Sequence, residues 1–380
     1  MRDSTTPGAP LRLALVMDEL CGGGAERVAL TLLAHLDRRL YEPWMVLFKK
    51  RGELLDQVPA GVPLVDLGAS RIRFGGMRLI RALRRVSPAV VMTVGCVNGL
   101  AAWAARLTLG PGIPIWARET NSPVYRFDRS RRGARLEEAL CRWSYRRAVS
   151  GLICLSRRMA MEFKDAFRLP YDPVTIGNPV DIARTRALAG EHVDHRWFRE
   201  DGPLLVAVGR LTRQKGFDLL LEAMAMVRTK PPARLIILGR GEDEERLRDS
   251  VGRLALEERV ELPGFRLNPY PFMKRATALV LPSRWEGFGN VIVEAMCLGT
   301  PVVASDCRWG PGEIITHGRD GLLVPPEEPG ALAGALTAVI SRPGLASALS
   351  GGGLRRAESF EAGAITGRYE RILSGAPSRK

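Results

Sequence analysis

Short apolar runs alternate with helix-like patterns along the whole chain. The runs are apolar on both faces, which is typical of parallel strands covered by helices on either side. The pattern predicts six strands in the first half and restarts with five more in the second. The predicted strands are Leu11–Met17, Trp44–Phe48, Val62–Leu67, Ala89–Val94, Ile113–Ala117, Gly151–Leu155, Leu204–Val208, Arg234–Leu238, Val260–Leu262, Ala278–Leu281 and Pro301–Ser305. The predicted helices between them include Ala25–Leu36, Met77–Val86, Phe217–Val227, Glu242–Leu254, Asn290–Leu298 and Pro329–Ile340.

This alternation predicts two doubly wound α/β domains, each with a parallel sheet. A length of 380 residues agrees, because it is too long for one ordinary core. Asn178-Pro179-Val180-Asp181 is the predicted hinge, since proline fixes φ and keeps its predecessor out of the helical region. We predict one domain of residues 1–178 plus 360–380, onto which the last helix crosses back, and a second of residues 179–359.

Positive charge is concentrated in the first half of the chain. The net charge is +15, and residues 1–180 hold 28 of the 56 lysines and arginines but 16 of the 41 acidic residues. Such a face attracts polyanions, either nucleic acid or an anionic membrane surface. The alternative to a polyanion-binding face is that these arginines lie on the solvent-exposed sides of helices and bind nothing. The arginines that dominate this basic segment are Arg71, Arg73, Arg78, Arg81, Arg84, Arg85, Arg126, Arg129, Arg131, Arg132, Arg135, Arg142, Arg146 and Arg147.

The membrane surface is the favoured polyanion. No aromatic stacking platform or known reader motif accompanies the arginines, so nucleic acid is disfavoured. Apolar residues beside them either dip into a membrane interface or pack in the core. These residues are Phe74, Ile80, Trp103, Leu107 and Leu109.

Cellular location is predicted from cysteines and apolar stretches. The six cysteines show no C-x-x-C pair and read as reduced, mostly buried thiols of a cytosolic protein. The first ten residues lack the order of a signal peptide. The uncharged stretch from Val86 to Ala105 is interrupted by proline and glycine, so it predicts a buried strand and a helix rather than a membrane span.

A glycine run, Gly22-Gly23-Gly24, follows the first predicted strand and opens a helix. Ligands of open α/β sheets bind beyond the carboxyl ends of strands, and a helix N-terminus favours an anion. A dinucleotide fingerprint fails at its sixth position, which is Arg27, and no P-loop motif occurs. A nicotinamide cofactor and P-loop phosphotransfer are therefore disfavoured.

The second half carries the more specific loops. Arg210 and Lys215 lie on one loop after Leu204–Val208, where two cations can clamp a diphosphate. Further along, glycines flank a helix start within Pro282–Glu294. There Glu286 precedes the helix and Glu294 falls about one turn inside it, so both carboxylates can point into one cleft.

Together these motifs resemble family 4 glycosyltransferases of the GT-B fold, over nearly the whole chain and most strongly over residues 200–330. The fold implied is α/β, with two Rossmann-like doubly wound parallel-sheet domains facing each other across a cleft. The resemblance implies a hexosyl- or N-acetylhexosaminyltransferase that uses a nucleoside-diphosphate sugar and retains the anomeric configuration. It implies no obligatory metal, consistent with the absence of Asp-x-Asp, and no cofactor. The motifs that carry it are Gly22-Gly23-Gly24-Ala25-Glu26, Gly209-Arg210-x-x-x-x-Lys215-Gly216, Glu286 with Glu294, and Gly310-Pro311-Gly312-Glu313-Ile314.

The resemblance also implies roles for single residues. Arg210 and Lys215 would neutralise the leaving diphosphate, and Glu286 would accept hydrogen bonds from donor sugar hydroxyls. Glu294 would hold the ribose. The remaining implied donor-binding residues are Gly209, then Gly287, Phe288, Gly289 and Asn290 through their N–H groups, then Gly239 and Phe265 near the base, and Gly23 and Gly24 from the opposite domain.

The acceptor side departs from the family pattern. Family members often carry a histidine after the fifth strand, where this chain has Arg118-Glu119-Thr120-Asn121. The role of that histidine passes to Asn121, Glu119 or a backbone carbonyl, or it is dispensable. The predicted acceptor-side residues are Glu26, Arg118, Glu119 and Asn121.

Retention without an evident carboxylate nucleophile favours a front-face substitution over a covalent double displacement. UDP is the favoured nucleotide, and the acceptor is predicted to be a saccharide, lipid-linked as in many similar bacterial transferases that build surface polysaccharide. The protein would then be peripheral on the inner face of the plasma membrane. A UDP-sugar epimerase of the same architecture is the alternative enzyme class.

Overall fold

The computed structural model describes residues 9–122 and 134–374. The chain divides into two compact units. Unit 1 comprises the residues up to Pro179 together with those from Ala362 onward, and unit 2 is Val180–Glu361. Within unit 2, the backbone N–H of Val180 donates to the carbonyl of Phe360 at 2.8 Å, so the first and last residues of this unit lie side by side.

Unit 1 contains a parallel sheet of seven strands. They are β1 (Leu11–Met17), β2 (Tyr41–Leu47), β3 (Leu64–Asp66), β4 (Val90–Val94), β5 (Ile115–Arg118), β6 (Gly151–Cys154) and β7 (Val174–Thr175). Their order across the sheet is β3-β2-β1-β4-β5-β6-β7. The six strands predicted from apolar runs are confirmed with small shifts of their ends. The two-residue strand β7 was not predicted.

Unit 2 contains a second parallel sheet, of six strands. They are β8 (Leu204–Val208), β9 (Arg234–Leu238), β10 (Val260–Gly264), β11 (Ala278–Leu281), β12 (Val302–Ser305) and β13 (Leu322–Val324). Their order is β10-β9-β8-β11-β12-β13. The predicted pair of doubly wound parallel-sheet domains is therefore confirmed.

Helices connect the strands in both units. In chain order they are α1 (Gly24–His35), α2 (Gly76–Val86), α3 (Asn98–Leu109), α4 (Ala134–Arg147), α5 (Arg157–Phe167), α6 (Ile182–Leu188), α7 (Phe217–Met226), α8 (Glu244–Arg253), α9 (Tyr270–Arg275), α10 (Asn290–Cys297), α11 (Pro311–Ile314), α12 (Pro329–Ser341), α13 (Pro343–Ala357) and α14 (Ala362–Ser374). Short 3₁₀ turns lie at Leu55–Gln57, Ile72–Phe74, Gly95–Val97, Arg196–Phe198, Arg213–Lys215 and Glu358–Phe360.

Strand residues are buried on both faces of the sheets. Leu13, Ala14, Leu15 and Val16 are successive residues of β1, and all are 0% exposed. Because successive side chains of a strand point to opposite faces, both faces of β1 are covered. Each fully buried leucine or valine contributes about 1.5–3 kcal/mol. Helix α14 adds Ile365, Tyr369 and Leu373 to this core, which ties the end of the chain to unit 1.

The uncharged stretch from Val86 to Ala105 forms β4 and the first part of α3, as predicted. Within the described residues, no single helix has the length and apolar composition needed to cross a membrane. One consecutive pair, Pro329–Ser341 and Pro343–Phe360, passes that test when taken together, with a bend of 99° between its members.

In each sheet, the direction in which the chain adds successive strands reverses once. In unit 1 the chain proceeds outward from β1 to β3 and then returns to place β4 on the other side of β1; in unit 2 it does the same between β8 and β11. Ligands of open α/β sheets bind beyond the carboxyl ends of the strands at such a switch point. The loops that follow β8 and β11 are therefore the natural place to look for a site in unit 2.

Candidate functional site

The two switch-point loops of unit 2 carry the predicted catalytic residues. Arg210 and Lys215 lie on the loop between β8 and α7, and Glu286 lies on the loop between β11 and α10. The first loop spans residues 209–216 and the second residues 282–289; we call them the β8 loop and the β11 loop. The structure brings together residues that are 71 positions apart in sequence.

Backbone contacts hold the two loops against each other. The N–H of Arg284 donates to the carbonyl of Gln214 at 2.8 Å, and the side-chain amide of Gln214 donates to the carbonyl of Trp285 at 2.9 Å. Gly216 makes this approach possible, because a Cβ at that position would lie 2.2 Å from the carbonyl oxygen of Pro282. Its φ of +65° also favours glycine.

Lys215 and Glu286 form an ion pair between the loops. The Nζ atom of Lys215 lies 2.5 Å from Oε1 of Glu286, and the two side chains are 15% and 7% exposed. Ser283 donates its hydroxyl to the same carboxylate oxygen at 2.7 Å. Removing one partner of a buried pair leaves an uncompensated charge, which is strongly destabilising. The sequence interpretation gave the two residues separate roles and missed this pairing.

The Cys307 thiol is a neutral neighbour of this ion pair. Burial raises its pKa to about 12, the charge of Glu286 adds to that rise, and Lys215 opposes it. The thiol therefore stays protonated near neutral pH and does not compete with Glu286 for the ammonium group.

Arg210 lies at the exposed end of the β8 loop. Its guanidinium donates to the side-chain oxygen of Gln214 at 3.4 Å, which is a long hydrogen bond. An exposed arginine on such a weak tether can turn toward an anion at little cost. Arg210 and Lys215 thus place one exposed cation and one ion-paired cation on the same loop.

Glycines let neighbouring loops approach closely at this edge of the sheet. The stem of Lys215 passes within 3.1 Å of where a Cβ of Gly209 would be. A Cβ at Gly239 would lie 1.8 Å from the carbonyl oxygen of Gly209, and one at Gly310 would lie 2.4 Å from that of Phe288. The loops after β8, β9, β11 and β12 therefore form one continuous surface in unit 2.

Helix α10 begins at the end of the β11 loop. Gly289 precedes it with a φ of +97°, and Asn290 is its first residue. The ring of Phe288 is buried and packs against Phe360, with ring centroids 5.5 Å apart. Because its ring is buried, Phe288 can contact a ligand only through its backbone, and the N–H role predicted for it needs no more than that. The segment from Gly287 to Asn290 lies at a helix N-terminus, where backbone N–H groups can point toward an anion.

Glu294 lies one turn inside α10 and is 8% exposed. Burial raises the pKa of the nearby Cys297 thiol to about 12, and the charge of Glu294 adds to that rise. On the β10 side, the guanidinium of Arg240 lies over the ring of Phe265, 4.9 Å from its centroid. The backbone N–H of Gly239 donates to the carbonyl of Gly264, the neighbour of Phe265, at 3.1 Å, so Gly239 and Phe265 lie close together.

Gly23, Gly24 and Glu26 lie at the start of α1 in unit 1. Glu26 is in the first helical turn, and a Cβ at Gly23 would lie 2.3 Å from its carboxylate oxygen. A carboxylate at a helix N-terminus is favourable, because the helix dipole is positive there. An added anion would have to compete with Glu26 at this position.

Arg118 and Glu119 are each 1% exposed, inside unit 1. Arg118 donates to the Tyr369 hydroxyl at 2.9 Å and to the side-chain oxygen of Asn178. Glu119 accepts hydrogen bonds from the amide of Asn98 at 2.9 Å and from the Tyr145 hydroxyl. This burial is at odds with a direct acceptor contact by either side chain.

Of the predicted acceptor-side residues in the loop after β5, Asn121 is partly exposed, as is its neighbour Thr120. It can reach solvent where Arg118 and Glu119 cannot.

Among residues 9–122 and 134–374, no group of three or more histidine, cysteine, aspartate or glutamate side chains is placed to hold a metal ion.

Two residues of unit 2 that sequence reasoning did not single out contact the site loops. Arg284 of the β11 loop forms a bidentate ion pair with Asp218 of α7, with distances of 2.8 and 3.0 Å. Their only sequence signal is position: Asp218 follows Lys215-Gly216 closely, and Arg284 precedes Glu286 by two.

The fold and this arrangement of loops define a GT-B glycosyltransferase. The solved structure of Anabaena Alr3699/HepE in complex with UDP-glucose matches with a TM-score of 0.80 at 21% identity, over 96% of this chain and 99% of that one. Residues 22–184 match Glycosyltransferase Family 4, and residues 192–354 match Glycosyl transferases group 1. The chain belongs to glycosyltransferase family 4, and the predicted enzyme class is confirmed.

Curated relatives agree with this assignment. The lipopolysaccharide core biosynthesis glycosyltransferase LpsE of Rhizobium meliloti is 26% identical over 93% of this chain and 97% of its own length. The N-acetylgalactosamine-N,N'-diacetylbacillosaminyl-diphospho-undecaprenol 4-alpha-N-acetylgalactosaminyltransferase of Campylobacter jejuni is 32% identical over 41% of this chain and 42% of its own length. For several further relatives, the aligned stretch covers between 19% and 57% of their length.

Proposed function

We propose that this glycosyltransferase moves a sugar, with retention, from a nucleoside-diphosphate sugar to a saccharide acceptor. The observation that carries the proposal is the Lys215–Glu286 pair at the switch point of unit 2, with the exposed Arg210 on the same loop as Lys215. The cation can bind phosphate and the carboxylate can accept hydrogen bonds from hydroxyls, so this pair between two glycine-containing loops suits a ligand that has both groups. A nucleoside-diphosphate sugar has both.

Two cations meet the main electrostatic requirement of the reaction, which is to neutralise the leaving diphosphate. Negative charge grows on the diphosphate as its bond to the anomeric carbon breaks, and fixed positive charge stabilises that state. Lys215 is pre-positioned by Glu286, which also accepts a hydrogen bond from Ser283, whereas Arg210 can close from the exposed end of the loop. With these cations in place the reaction requires no divalent metal, which is our proposal for this chain.

Retention follows from a front-face substitution. The bond between the anomeric carbon and the diphosphate oxygen breaks while the acceptor hydroxyl oxygen bonds to the same face of that carbon. The acceptor proton passes to the departing phosphate oxygen, so no protein nucleophile or separate base is consumed. The residues of unit 2 bind and orient the donor: Glu286 accepts from sugar hydroxyls, Glu294 from the ribose, and the N–H groups from Gly287 to Asn290 donate to oxygens.

UDP and a lipid-linked acceptor are the finer parts of the proposal. HepE was solved with UDP-glucose, and the Campylobacter jejuni relative is named for an undecaprenol-diphosphate acceptor. LpsE is named for lipopolysaccharide core biosynthesis. These names support a role in building surface polysaccharide or a related glycoconjugate.

The basic surface of unit 1 supports docking on the anionic inner face of the plasma membrane. On α4, Leu136 is 77% and Trp143 is 45% exposed, and Arg146 and Arg147 are exposed on the same helix. Exposed apolar side chains among arginines are typical of an interfacial helix. Each arginine near such a surface contributes about 1 kcal/mol.

Other residues of the predicted docking surface divide between surface and core. Phe74 and Leu107 are 61% and 60% exposed, Trp103 and Leu109 are partly buried, and Ile80 is buried. Ile80 therefore does not belong to the docking surface. The following parts of the basic segment lie outside the described residues: Arg126, Arg129, Arg131, Arg132 and the side chain of Arg73.

A product assay tests the proposal. The protein is incubated with UDP-glucose, UDP-galactose, UDP-N-acetylglucosamine or GDP-mannose, with and without a polyprenyl-diphosphate-linked saccharide. We expect nucleoside-diphosphate release that depends on the acceptor, and a new linkage whose anomeric configuration by NMR is that of the donor. An inverted linkage contradicts retention, and interconversion of the donor sugar without acceptor favours the epimerase.

A further inference from the structure

The side chain of Arg284 connects three segments of unit 2. Its two terminal nitrogens donate to the two carboxylate oxygens of Asp218, at 2.8 and 3.0 Å. One of them also donates to the carbonyl oxygen of Arg213 at 3.0 Å, and Nε donates to Glu327 at 2.9 Å. The guanidinium thus bridges the β8 loop, the start of α7 and the segment before α12.

This bridge is held firmly. The Arg284 side chain is 12% exposed, and a bidentate arginine–carboxylate pair fixes both distance and orientation. Asp218 lies in the first turn of α7, where the helix dipole favours its charge. Burial alone would raise the pKa of Asp218, yet its hydrogen bond and charge attraction with Arg284 hold that pKa below its usual range.

The bridge lies beside the Lys215–Glu286 pair. Arg284 is two residues from Glu286, and the carbonyl that it binds belongs to Arg213, two residues from Lys215. The Lys215–Glu286 distance depends on how far apart the β8 and β11 loops stand, because each loop supplies one partner. The hydrogen bond from the Arg284 guanidinium to Arg213 is one of the contacts that join the two loops, beside those that Gln214 makes with Arg284 and Trp285.

We propose that Arg284, with Asp218 as its counterion, is a positioning residue that sets the separation of the β8 and β11 loops and thereby the strength with which Lys215 holds a donor diphosphate. The inference rests on the proposed function, because it requires Lys215 to bind that diphosphate. The competing explanation is that the Arg284–Asp218 pair contributes only to folding.

Two substitutions separate these explanations. Arg284→Lys keeps the positive charge but loses the planar fork that reaches Asp218 and the Arg213 carbonyl together. Arg246→Ala is the matched control, because Arg246 approaches the same Asp218 carboxylate at 3.6 Å from α8. Arg246 is 59% exposed, and its ion pairs are with Asp218 and Asp243 rather than with either loop.

The experiment is a double-mutant cycle measured by titration with UDP. Wild type, Arg284→Lys, Lys215→Ala, the double variant and Arg246→Ala are compared after thermal unfolding has shown each to be folded. Because Lys215→Ala leaves the buried Glu286 charge unpaired, Lys215→Gln, which keeps a hydrogen-bond donor for Glu286, replaces it if it does not fold. We expect Arg284→Lys to weaken UDP binding about tenfold and Arg246→Ala to change it less than about twofold. In the Lys215→Ala background, Arg284→Lys should cost less than about twofold, because the effect acts through Lys215.

Four results overturn the inference. Unchanged UDP affinity of Arg284→Lys does so, as does an equal loss in both backgrounds. Should Arg284→Lys not fold, Asp218→Asn keeps the side-chain shape and takes its place in the cycle; if this variant also fails to fold, the pair serves folding and the inference is wrong. A wild-type protein that binds none of UDP, GDP, ADP and dTDP overturns the proposed function itself, and with it the inference.

Discussion

Lys215 and Glu286 meet between two loops that are 71 residues apart in sequence, with 2.5 Å between Nζ and Oε1. A carboxylate in contact with the cation that is proposed to bind phosphate has two opposing effects. It orients the ammonium group, and it also competes with the phosphate for that group. The pair therefore balances positioning against ligand affinity.

The first prediction concerns this balance. Glu286→Gln keeps the shape and the acceptor oxygen but removes the charge that repels a diphosphate. We expect UDP to bind about tenfold more tightly, a gain of about 1.4 kcal/mol. Turnover should fall by roughly ten- to a hundredfold, because sugar hydroxyls lose a charged acceptor. Calorimetry and steady-state kinetics measure the two effects separately, and weaker UDP binding together with unchanged turnover would show that Glu286 has neither role.

The second prediction assigns the ribose to Glu294. Glu294→Ala removes the acceptor proposed for the two ribose hydroxyls, so UDP affinity should fall by about 1.5–3 kcal/mol, the range for hydrogen bonds to charged groups. The matched control is Cys297→Ala, which removes a buried neighbour of Glu294 without removing a charge. Equal UDP affinity in the wild type and Glu294→Ala, measured by calorimetry, would remove Glu294 from the donor site.

The third prediction is metal independence. Arg210 and Lys215 are proposed to supply the positive charge that Mg²⁺ or Mn²⁺ supplies in other transferases. Turnover should therefore persist in excess EDTA at its original rate. The measurement is nucleoside-diphosphate release with EDTA, followed by addition of Mg²⁺ or Mn²⁺. Complete loss that only a divalent ion restores would mean that the phosphate chemistry is misassigned.

The fourth prediction locates the membrane surface on α4. Reversing two exposed charges with Arg146→Glu and Arg147→Glu should weaken binding to anionic liposomes by at least about 2 kcal/mol, or roughly thirtyfold. The same change at two exposed arginines of unit 2, Arg342→Glu and Arg355→Glu, leaves α4 untouched and should have a much smaller effect.

Liposome sedimentation over a range of salt measures both double variants. Binding of the wild type should fall as salt rises, because exposed charges are screened. Equal binding of the wild type to neutral and anionic vesicles, or binding to neither at low salt, would contradict electrostatic docking. A soluble acceptor would then be favoured, and the transferase assignment would stand.

Strands were the most predictable part of the fold. The bounds of β1, β8, β9 and β11 agree with the apolar runs, since strands buried on both faces leave an uninterrupted apolar signal. Strand β7 has two residues, too few for a pattern to stand out from the surrounding chain. Strand β13 was also missed; it has three residues, as has β3, which was predicted within the longer run Val62–Leu67.

Long-range pairing was the least predictable part of the site. The roles proposed for Lys215 and Glu286 came from motif positions, which carry no information about whether two side chains touch. Arg118 shows the same limit, because a charged residue at a strand end ordinarily suggests an exposed, ligand-facing group. Its partners Tyr369 and Asn178 are 251 and 60 residues away, and only the folded chain shows that they satisfy it in the interior.

The central claim is that Arg210 and Lys215 hold the donor diphosphate, and the rate of sugar transfer by three single variants tests it most directly. Arg210→Ala and Lys215→Ala should each cost roughly 2–4 kcal/mol of transition-state stabilisation, or about thirtyfold to a thousandfold in kcat/KM for the donor. Arg213→Ala, on the same loop, removes an exposed side chain whose backbone carbonyl alone contacts Arg284, and should turn over at about the wild-type rate. Near-wild-type kcat/KM for both Arg210→Ala and Lys215→Ala would contradict the claim.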